Sequence, residues 1–254
     1  EIGVRLVGSE MCIRDRVIAN LVGSFDMHDA IWNMTKQANW IKSCQDMFHY
    51  YPSVFDGLNI DLEYPCVSDD PYCGGITPTS NDRDYFSTFV KNFKLSMPAD
   101  RNYLSIAVSI DTKKHQAMDF TFLDQYVNDY HLMTYNVADG GWNAYTGHHT
   151  PPYNNTADPL YWGRGGFTAE LAAKSLIKYG VNLQKIFIAA CFYGRGFAAW
   201  SGSNGTPFMA SSGVTGTGTY PGPNGTPNIF YYWDIKANYP VSYTHLTLPT
   251  NREV

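Results

Sequence analysis

Apolar residues in the middle of the chain come in short runs that alternate with segments of helical periodicity. The runs predict five buried strands, at residues 17–25, 55–63, 103–110, 130–136 and 185–192. Residues 81–97 predict a helix, because their large apolar side chains recur at helical spacing. A second helix is predicted to begin after Thr168, a capping residue, and to stop at Gly180. Strands alternating with helices predict an α/β fold with a parallel sheet covered by helices.

The pattern changes after the fifth strand. Residues 199–227 are rich in Gly, Ser, Thr and Pro, and the aromatic run Phe230-Tyr231-Tyr232-Trp233 follows. We interpret residues 199–239 as an insertion or connecting loop rather than a linker to another domain.

Composition excludes several classes of partner. The 254 residues are 44% hydrophobic and carry a formal net charge of -5, which disfavours binding to nucleic acid or to an anionic membrane surface. No apolar run approaches the roughly 20 residues that a membrane span needs. A neutral polymer such as a polysaccharide fits this balance better.

Both ends of the chain differ in character from the middle. Residues 6–15 read as the translation of a transposase-type sequencing adapter, and residues 241–250 read as its counterpart at the other end. We therefore expect residues 1–16 and 241–254 to be non-native and base functional inference on residues 17–240.

The cysteines indicate a local disulfide. Cys66 and Cys73 bracket a short polar loop, which suits a disulfide in an oxidising compartment. A zinc site would need two more ligands nearby, and the adjacent pair His148-His149 cannot form one alone. We expect no metal.

Three polar side chains share one face of the second predicted strand. Asn59, Asp61 and Glu63 alternate with Leu58, Ile60 and Leu62, and Glu63 lies at the carboxyl end, where barrel enzymes build their sites. An isolated Asp-x-Glu would more simply pair with buried basic groups. The longer string around it favours a catalytic role, and the charge of Asp61 two positions away is expected to raise the pKa of Glu63.

That longer string resembles a family signature. Residues 56–65, Asp-Gly-Leu-Asn-Ile-Asp-Leu-Glu-Tyr-Pro, resemble the Asp-x-x-Asp-x-Asp-x-Glu signature of glycoside hydrolase family 18. Residues 133–136 resemble the family's Met-x-Tyr-Asp/Asn string, residues 141–148 the loop after it, and residues 185–197 the seventh strand with its Tyr-Gly-Arg ending. The resemblance covers most of residues 17–239. It implies an incomplete (β/α)8 TIM-type barrel, with strands three to seven recognisable and residues 199–239 forming part of a chitinase insertion segment.

The resemblance also implies an activity, the hydrolysis of chitin or chito-oligosaccharides by a substrate-assisted retaining mechanism through an oxazolinium intermediate. Glu63 would be the general acid, Asp61 would orient the substrate acetamido group, and Tyr135 would hydrogen-bond its oxygen. The implied supporting residues are Asn59, Asp56, Asn136 and Met133, and the implied substrate-binding residues are Trp142, Tyr193, Arg195 and Tyr64. The family implies no cofactor, and we expect a secreted protein that is monomeric at full length.

Several alternatives stay open. Trp142 would stack on a sugar or fill the core, and Arg195 would border the pocket or tie its strand down through an ion pair. Asn59 replaces the signature's middle Asp, which predicts a weaker acid limb and a lower rate. A non-catalytic chitinase-like lectin and an endo-β-N-acetylglucosaminidase acting on N-glycans are the alternative functions, although Glu63 favours an enzyme. Because strands one, two and eight are not recognisable, we expect residues 17–240 alone to be poorly stable.

Overall fold

A computed structural model describes residues 16–23, 31, 33–65, 81–139, 143–158, 167–200, 211–213 and 228–238. The predicted stacking residue Trp142 and the predicted disulfide pair Cys66 and Cys73 lie outside these described residues.

The described strands and helices alternate through most of the chain. In order they are β1 Ile18–Gly23, α1 Met34–Tyr50, β2 Gly57–Leu62, α2 Asp82–Ser96, β3 Tyr103–Ser109, α3 Phe120–Leu123, β4 Asp129–Met133, α4 Ala169–Lys178, β5 Ile186–Ile188, β6 Tyr193–Arg195, β7 Ala198–Trp200, β8 Ser211–Gly213, β9 Ile229–Tyr231 and α5 Tyr232–Asn238. Two 3₁₀ turns, Lys114–Ala117 and Leu183–Lys185, precede α3 and β5.

Strands β1 to β5 form one sheet in their chain order. β1 pairs in parallel with β2, and β2 with β3, which is the arrangement that the alternating pattern predicts. The register puts Asn20 opposite Asn59 and Asn59 opposite Ser105. β2 and β3 approach so closely at Gly57 that a Cβ there would lie 1.9 Å from the Tyr103 carbonyl oxygen. Only glycine fits at that point.

The chain divides into two compact units. The first comprises residues 1–109, 113–131 and 175–187. Its core contains the apolar face of β2, namely Leu58, Ile60 and Leu62, together with the helix side chains Phe86, Phe89 and Phe93, all at most 2% exposed. Each fully buried phenylalanine contributes about 1.5–3 kcal/mol relative to an exposed one. Helix α2 carries the apolar face that the sequence predicts, and it contacts α1 and α3.

The second unit comprises residues 110–112, 132–174 and 188–254. Within it β6 pairs antiparallel with β9, and β7 pairs antiparallel with β8. Helix α4 begins after Thr168, whose hydroxyl accepts from the Leu171 amide at 3.3 Å. The predicted cap is therefore confirmed, and Gly180, at φ 91°, follows the helix where the sequence places its end.

Elements β5 and α1 are among those that differ from the sequence predictions. β5 spans three residues instead of eight, and its Phe187 and Ile188 are exposed. Helix α1 was not predicted, because its few buried residues include Gln37 as well as Cys44 and Phe48, which blurs the apolar stripe. Its start is nevertheless encoded locally, since the Asn33 side chain accepts from the amides of residues 35 and 36.

Among the described residues no helix is long and apolar enough to cross a membrane.

Candidate active site

The catalytic candidates of the first unit lie at the carboxyl end of β2. Asp61 is the second-to-last residue of the strand, and Glu63 follows the strand directly. A row of side-chain hydrogen bonds runs below them across three strands. The Ser105 hydroxyl donates to Asn59 Oδ1 at 2.8 Å, Asn59 Nδ2 donates to Asn20 Oδ1 at 2.6 Å, and Asn20 Nδ2 donates to Asp61 Oδ2 at 3.1 Å. The row fixes the orientation of the Asp61 carboxylate.

Asn59 therefore acts on Asp61 through Asn20 in this structure. Among the described contacts the Asn59 amide donates to Asn20 Oδ1 and not to Asp61. Asn20 and Ser105 were missed by the sequence analysis. Their signal was present, since both are polar residues within apolar strands, but their importance depends on a register between strands that only the fold supplies.

One oxygen of Asp61 remains available. Asp61 Oδ1 is buried and has no hydrogen-bond partner among the described residues. A buried carboxylate oxygen without a donor costs free energy, so this atom is suited to accept an N–H from a bound molecule.

Glu63 has the properties of an acid that keeps its proton. Although the residue is solvent-exposed overall, the protein around its carboxyl removes part of its hydration, and this desolvation is the main cause of its raised pKa. The Tyr64 hydroxyl, by donating to Glu63, lowers the pKa, and the charge of Asp61 raises it further. From the sequence, the charge of Asp61 alone was expected to raise the pKa of Glu63, but burial is the larger cause.

The Tyr64 side chain is hydrogen-bonded to the proposed acid, Glu63. The Glu63–Tyr64 peptide bond is cis. The Tyr64 hydroxyl hydrogen-bonds both Glu63 and Ser109, and burial together with the nearby carboxylate raises the pKa of the phenol well above its usual range. Tyr64 was predicted to bind substrate, and its described contacts are with Glu63, Ser109 and Lys114.

Asp56 lies at the other end of β2 from the acid. It precedes the first strand residue, is exposed, and accepts from the Val17 backbone amide at 2.8 Å. Seven residues of extended chain separate it from Glu63, roughly 23 Å. Its described contact ties β2 to the start of β1 and involves no catalytic candidate.

In the second unit the residues after β4 form a polar cluster around Asn136. Met133 ends the strand and is buried. Asn136 has a φ of 62°, and its single Oδ1 accepts from the Tyr193 hydroxyl at 2.7 Å and from Arg195 Nε and Nη2 at 3.1 and 2.9 Å. The Tyr135 ring packs edge-on against Tyr193, with centroids 6.2 Å apart. The predicted residues 135, 136, 193 and 195 are therefore neighbours.

Arg195 also forms a buried ion pair. Its Nη1 lies 2.6 Å from Asp139 Oδ2, and the two side chains are 9% and 1% exposed. Asn228 Nδ2 donates to the other Asp139 oxygen at 2.5 Å. Of the two roles left open for Arg195, the structure contains the ion pair. Asp139 and Asn228 were missed, because nothing in the sequence links residues 89 positions apart.

His149 completes this cluster as a neutral acceptor. Its Nδ1 accepts from the Asn136 backbone amide at 3.1 Å, and its ring lies 5.2 Å from that of Tyr193. Burial, and to a lesser extent the charge of Arg195, lowers the pKa of His149 to about 4. The sequence indicated only that the adjacent pair His148-His149 cannot form a metal site alone, and it gave no role for His149.

The described residues contain no group of three or more His, Cys, Asp or Glu side chains arranged to hold a metal ion. Cys44 and Cys191 are free thiols, and burial raises the pKa of Cys44 to about 11.

Comparison with known proteins identifies the family. The sequence model of the glycosyl hydrolases family 18 matches residues 22–247. The chain belongs to this family. Chitinase C of Streptomyces lividans is 32% identical over 200 residues, which cover 76% of this chain and 29% of that protein, and chitinase 63 of Streptomyces plicatus is 30% identical over 75% and 29%. The chain thus spans about 29% of the length of these two relatives.

Solved structures agree on the family 18 fold. A chitinase from Bacillus thuringiensis matches with a TM-score of 0.75 at 21% identity, over 88% of this chain and 37% of that one. A group IV chitinase of Ostrinia furnacalis in complex with allosamidin matches with a TM-score of 0.71 at 22% identity, over 87% and 57%. Together with the five-stranded sheet, these matches confirm a (β/α)8 TIM-type fold of which the described residues form an incomplete barrel.

Proposed function

We propose that this chain carries the catalytic machinery of a chitinase, which hydrolyses β-1,4-linked N-acetylglucosamine polymers. The observation that carries the proposal is the end of β2, where Asp61 has one buried oxygen without a donor among the described residues and Glu63 has a raised pKa. Supporting it, two curated relatives are named chitinases. Two Ostrinia furnacalis chitinases with similar folds were solved with allosamidin and with penta-N-acetylchitooctaose.

In the proposed reaction Glu63 donates its proton to the glycosidic oxygen as the bond to the anomeric carbon breaks. The acetamido oxygen of the same sugar attacks that carbon and gives an oxazolinium ion, while Asp61 Oδ1 accepts the acetamido N–H and stabilises the developing positive charge. The Glu63 carboxylate then takes a proton from water, which opens the oxazolinium ion and regenerates the acid. The raised pKa is suited to the first step, because the acid must be protonated when substrate binds.

The cluster of the second unit supplies the remaining proposed roles. Tyr135 donates to the acetamido oxygen, and Tyr193 contributes to sugar binding. Arg195 uses three nitrogens on Asn136 and Asp139, so its proposed contribution is to hold that cluster in shape. Trp142 is proposed as a stacking platform for a sugar. We further propose that the protein is secreted, with Cys66 and Cys73 joined, and that residues 1–16 and 241–254 are not native.

The decisive experiment compares Glu63→Gln with the parent in the full-length natural protein, using chitotetraose as substrate. We expect turnover to fall by several orders of magnitude with little change in binding. Glu170→Gln is the matched control, because Glu170 forms an exposed i,i+4 ion pair with Lys174 on α4. Equal turnover of Glu63→Gln and parent would remove Glu63 from its role.

Two other outcomes would redirect the assignment. Binding of chito-oligosaccharide without turnover by the parent protein would identify a lectin. Turnover of an N-glycan in preference to chitotetraose would identify an endo-β-N-acetylglucosaminidase.

A further inference from the structure

The 3₁₀ turn Lys114–Ala117 lies against Tyr64, the residue that follows the proposed acid. Lys114 is 8% exposed, and its Nζ lies 5.3 Å from the centroid of the Tyr64 ring, within cation–π range. A buried ammonium is costly, and the electron-rich face of the phenol compensates part of that cost. The contact fixes the ring from one face.

His115, the next residue of the turn, anchors Ser109, whose side chain hydrogen-bonds the Tyr64 hydroxyl. His115 is fully buried, and its Nε2 lies 2.8 Å from the Ser109 carbonyl oxygen. Because a carbonyl only accepts, Nε2 carries a proton, and Nδ1 is hydrogen-bonded to the Ser175 hydroxyl at 2.8 Å. The imidazole therefore locks the end of β3, where the Ser109 side chain hydrogen-bonds the Tyr64 hydroxyl.

We propose that the turn Lys114–Ala117 is a positioning element, which acts through Ser109 and the Tyr64 ring to hold the Tyr64 hydroxyl on the Glu63 carboxyl. This inference rests on the proposed role of Glu63. With the ring fixed by Lys114 and the phenol oxygen receiving the Ser109 hydroxyl, the phenol proton is directed to Glu63. Among the described residues, the charged groups that face this pair include Asp61 on its own strand and Lys114 on the turn.

Through this arrangement the turn affects the pKa of Glu63 without contacting substrate. The Tyr64 hydrogen bond stabilises the ionised form of Glu63 and so moderates the pKa that burial raises. A displaced hydroxyl would leave the acid with a higher pKa, which makes Glu63 a weaker proton donor in the first half of the reaction.

The test measures the titration of the Glu63 carboxyl by carbon NMR, together with the pH dependence of chitotetraose hydrolysis, in the full-length protein. Tyr64→Phe is expected to raise the pKa of Glu63 by about one unit, the size of one hydrogen bond to a charged group. Ser109→Ala and Lys114→Met are expected to raise it in the same direction by about half as much or less, with kcat affected more than KM. Ser109→Thr and Lys114→Arg are expected to restore most of the parent value.

Ser109→Ala, which changes no charge, is then repeated in the Tyr64→Phe background. If Ser109 acts through the Tyr64 hydroxyl, it does not move the Glu63 titration further there. A shift that persists in that background, or no shift in the parent background, overturns the proposal. Ser109→Ala removes one hydroxyl and leaves the His115 contact to the backbone intact, so the test does not depend on a variant that fails to fold. The NMR titration needs no turnover, so a failure of the proposed activity would be seen separately, as catalysis independent of Glu63.

Discussion

Replacing Asn59 with aspartate would restore the carboxylate of the family signature inside a row of hydrogen bonds that is now built for an amide. Asn59 is 9% exposed, donates to Asn20 Oδ1 at 2.6 Å and accepts from the Ser105 hydroxyl at 2.8 Å. An ionised aspartate has no hydrogen to donate to Asn20. The Asn20 amide would have to rotate, and it would then turn its oxygen toward Asp61, to which it now donates at 3.1 Å.

The size of the effect on the acid follows from the strand geometry. Residues two apart on a strand are about 6.7 Å apart, so carboxylates at positions 59 and 61 repel by about 2.5 kcal/mol at an effective dielectric of about 20. Glu63 is four residues from position 59, about 13 Å, where the interaction is about 1.3 kcal/mol, or about 0.9 pH unit before screening. Screening by salt with a Debye length of about 8 Å reduces it toward about 0.2 unit.

The sign of the shift is fixed by charge. An added negative charge favours protonated Glu63, so its pKa rises and the acid stays active to higher pH. In Asn59→Asp we therefore expect the basic limb of kcat/KM to move up by about 0.2–0.9 pH unit, equal to about a 1.5- to eight-fold higher rate on that limb.

The assay is chitotetraose hydrolysis by the full-length protein from acid to alkaline pH. Asn102→Asp is the control, because it adds the same charge on an exposed loop residue and should leave the profile in place. A profile of Asn59→Asp that matches the parent, or one shifted only as far as the control, would refute the coupling of position 59 to the acid.

Two further predictions concern the second cluster. Arg195→Met leaves a 1% exposed carboxylate without its cation, and the free energy of unfolding should fall by about 3–5 kcal/mol in denaturant titrations, against less than about 1 kcal/mol for the exposed Arg83→Met. The pKa of His149 is about 4 when folded and 6.5 when unperturbed, so the folded state binds fewer protons between these values. Its contribution is complete above pH 6.5 and is lost as pH falls toward 4, by up to about 3 kcal/mol. In melting curves across this pH range, His149→Gln should reduce the fall of melting temperature with falling pH, and His148→Gln should not. An equal dependence of melting temperature on pH in both variants would contradict the assignment of this stability loss to His149.

Local sequence accounts for most of the first half of the site. The alternation of Asn59, Asp61 and Glu63 with three leucine or isoleucine residues correctly predicts a strand with one polar face, because side chains alternate across a strand. The position of Glu63 just past the strand also follows from the sequence.

What sequence could not supply is the set of partners that come from other strands. Asn20 and Ser105 matter because the register places them beside Asn59, and register is a property of the assembled sheet. Asp139 and Asn228 matter because a buried arginine needs a counter-charge and that counter-charge needs a donor, and these residues meet only in the folded unit. The cause of the Glu63 pKa was misjudged for the same reason, since burial depends on the surrounding fold.

The three donors that share Asn136 Oδ1 have a consequence for protein engineering. The loop after β4 and strand β6 are encoded by separate stretches of the gene, yet a single oxygen atom of the loop accepts all three hydrogen bonds from β6. A chimaera that takes β6 from a relative would place that relative's hydroxyl and guanidinium groups against an acceptor oxygen whose position suits the original pair of donors. Shuffling between family members should therefore exchange residues 133–149 and 193–195 as one cassette, and libraries that cut between them should be enriched in poorly folded clones.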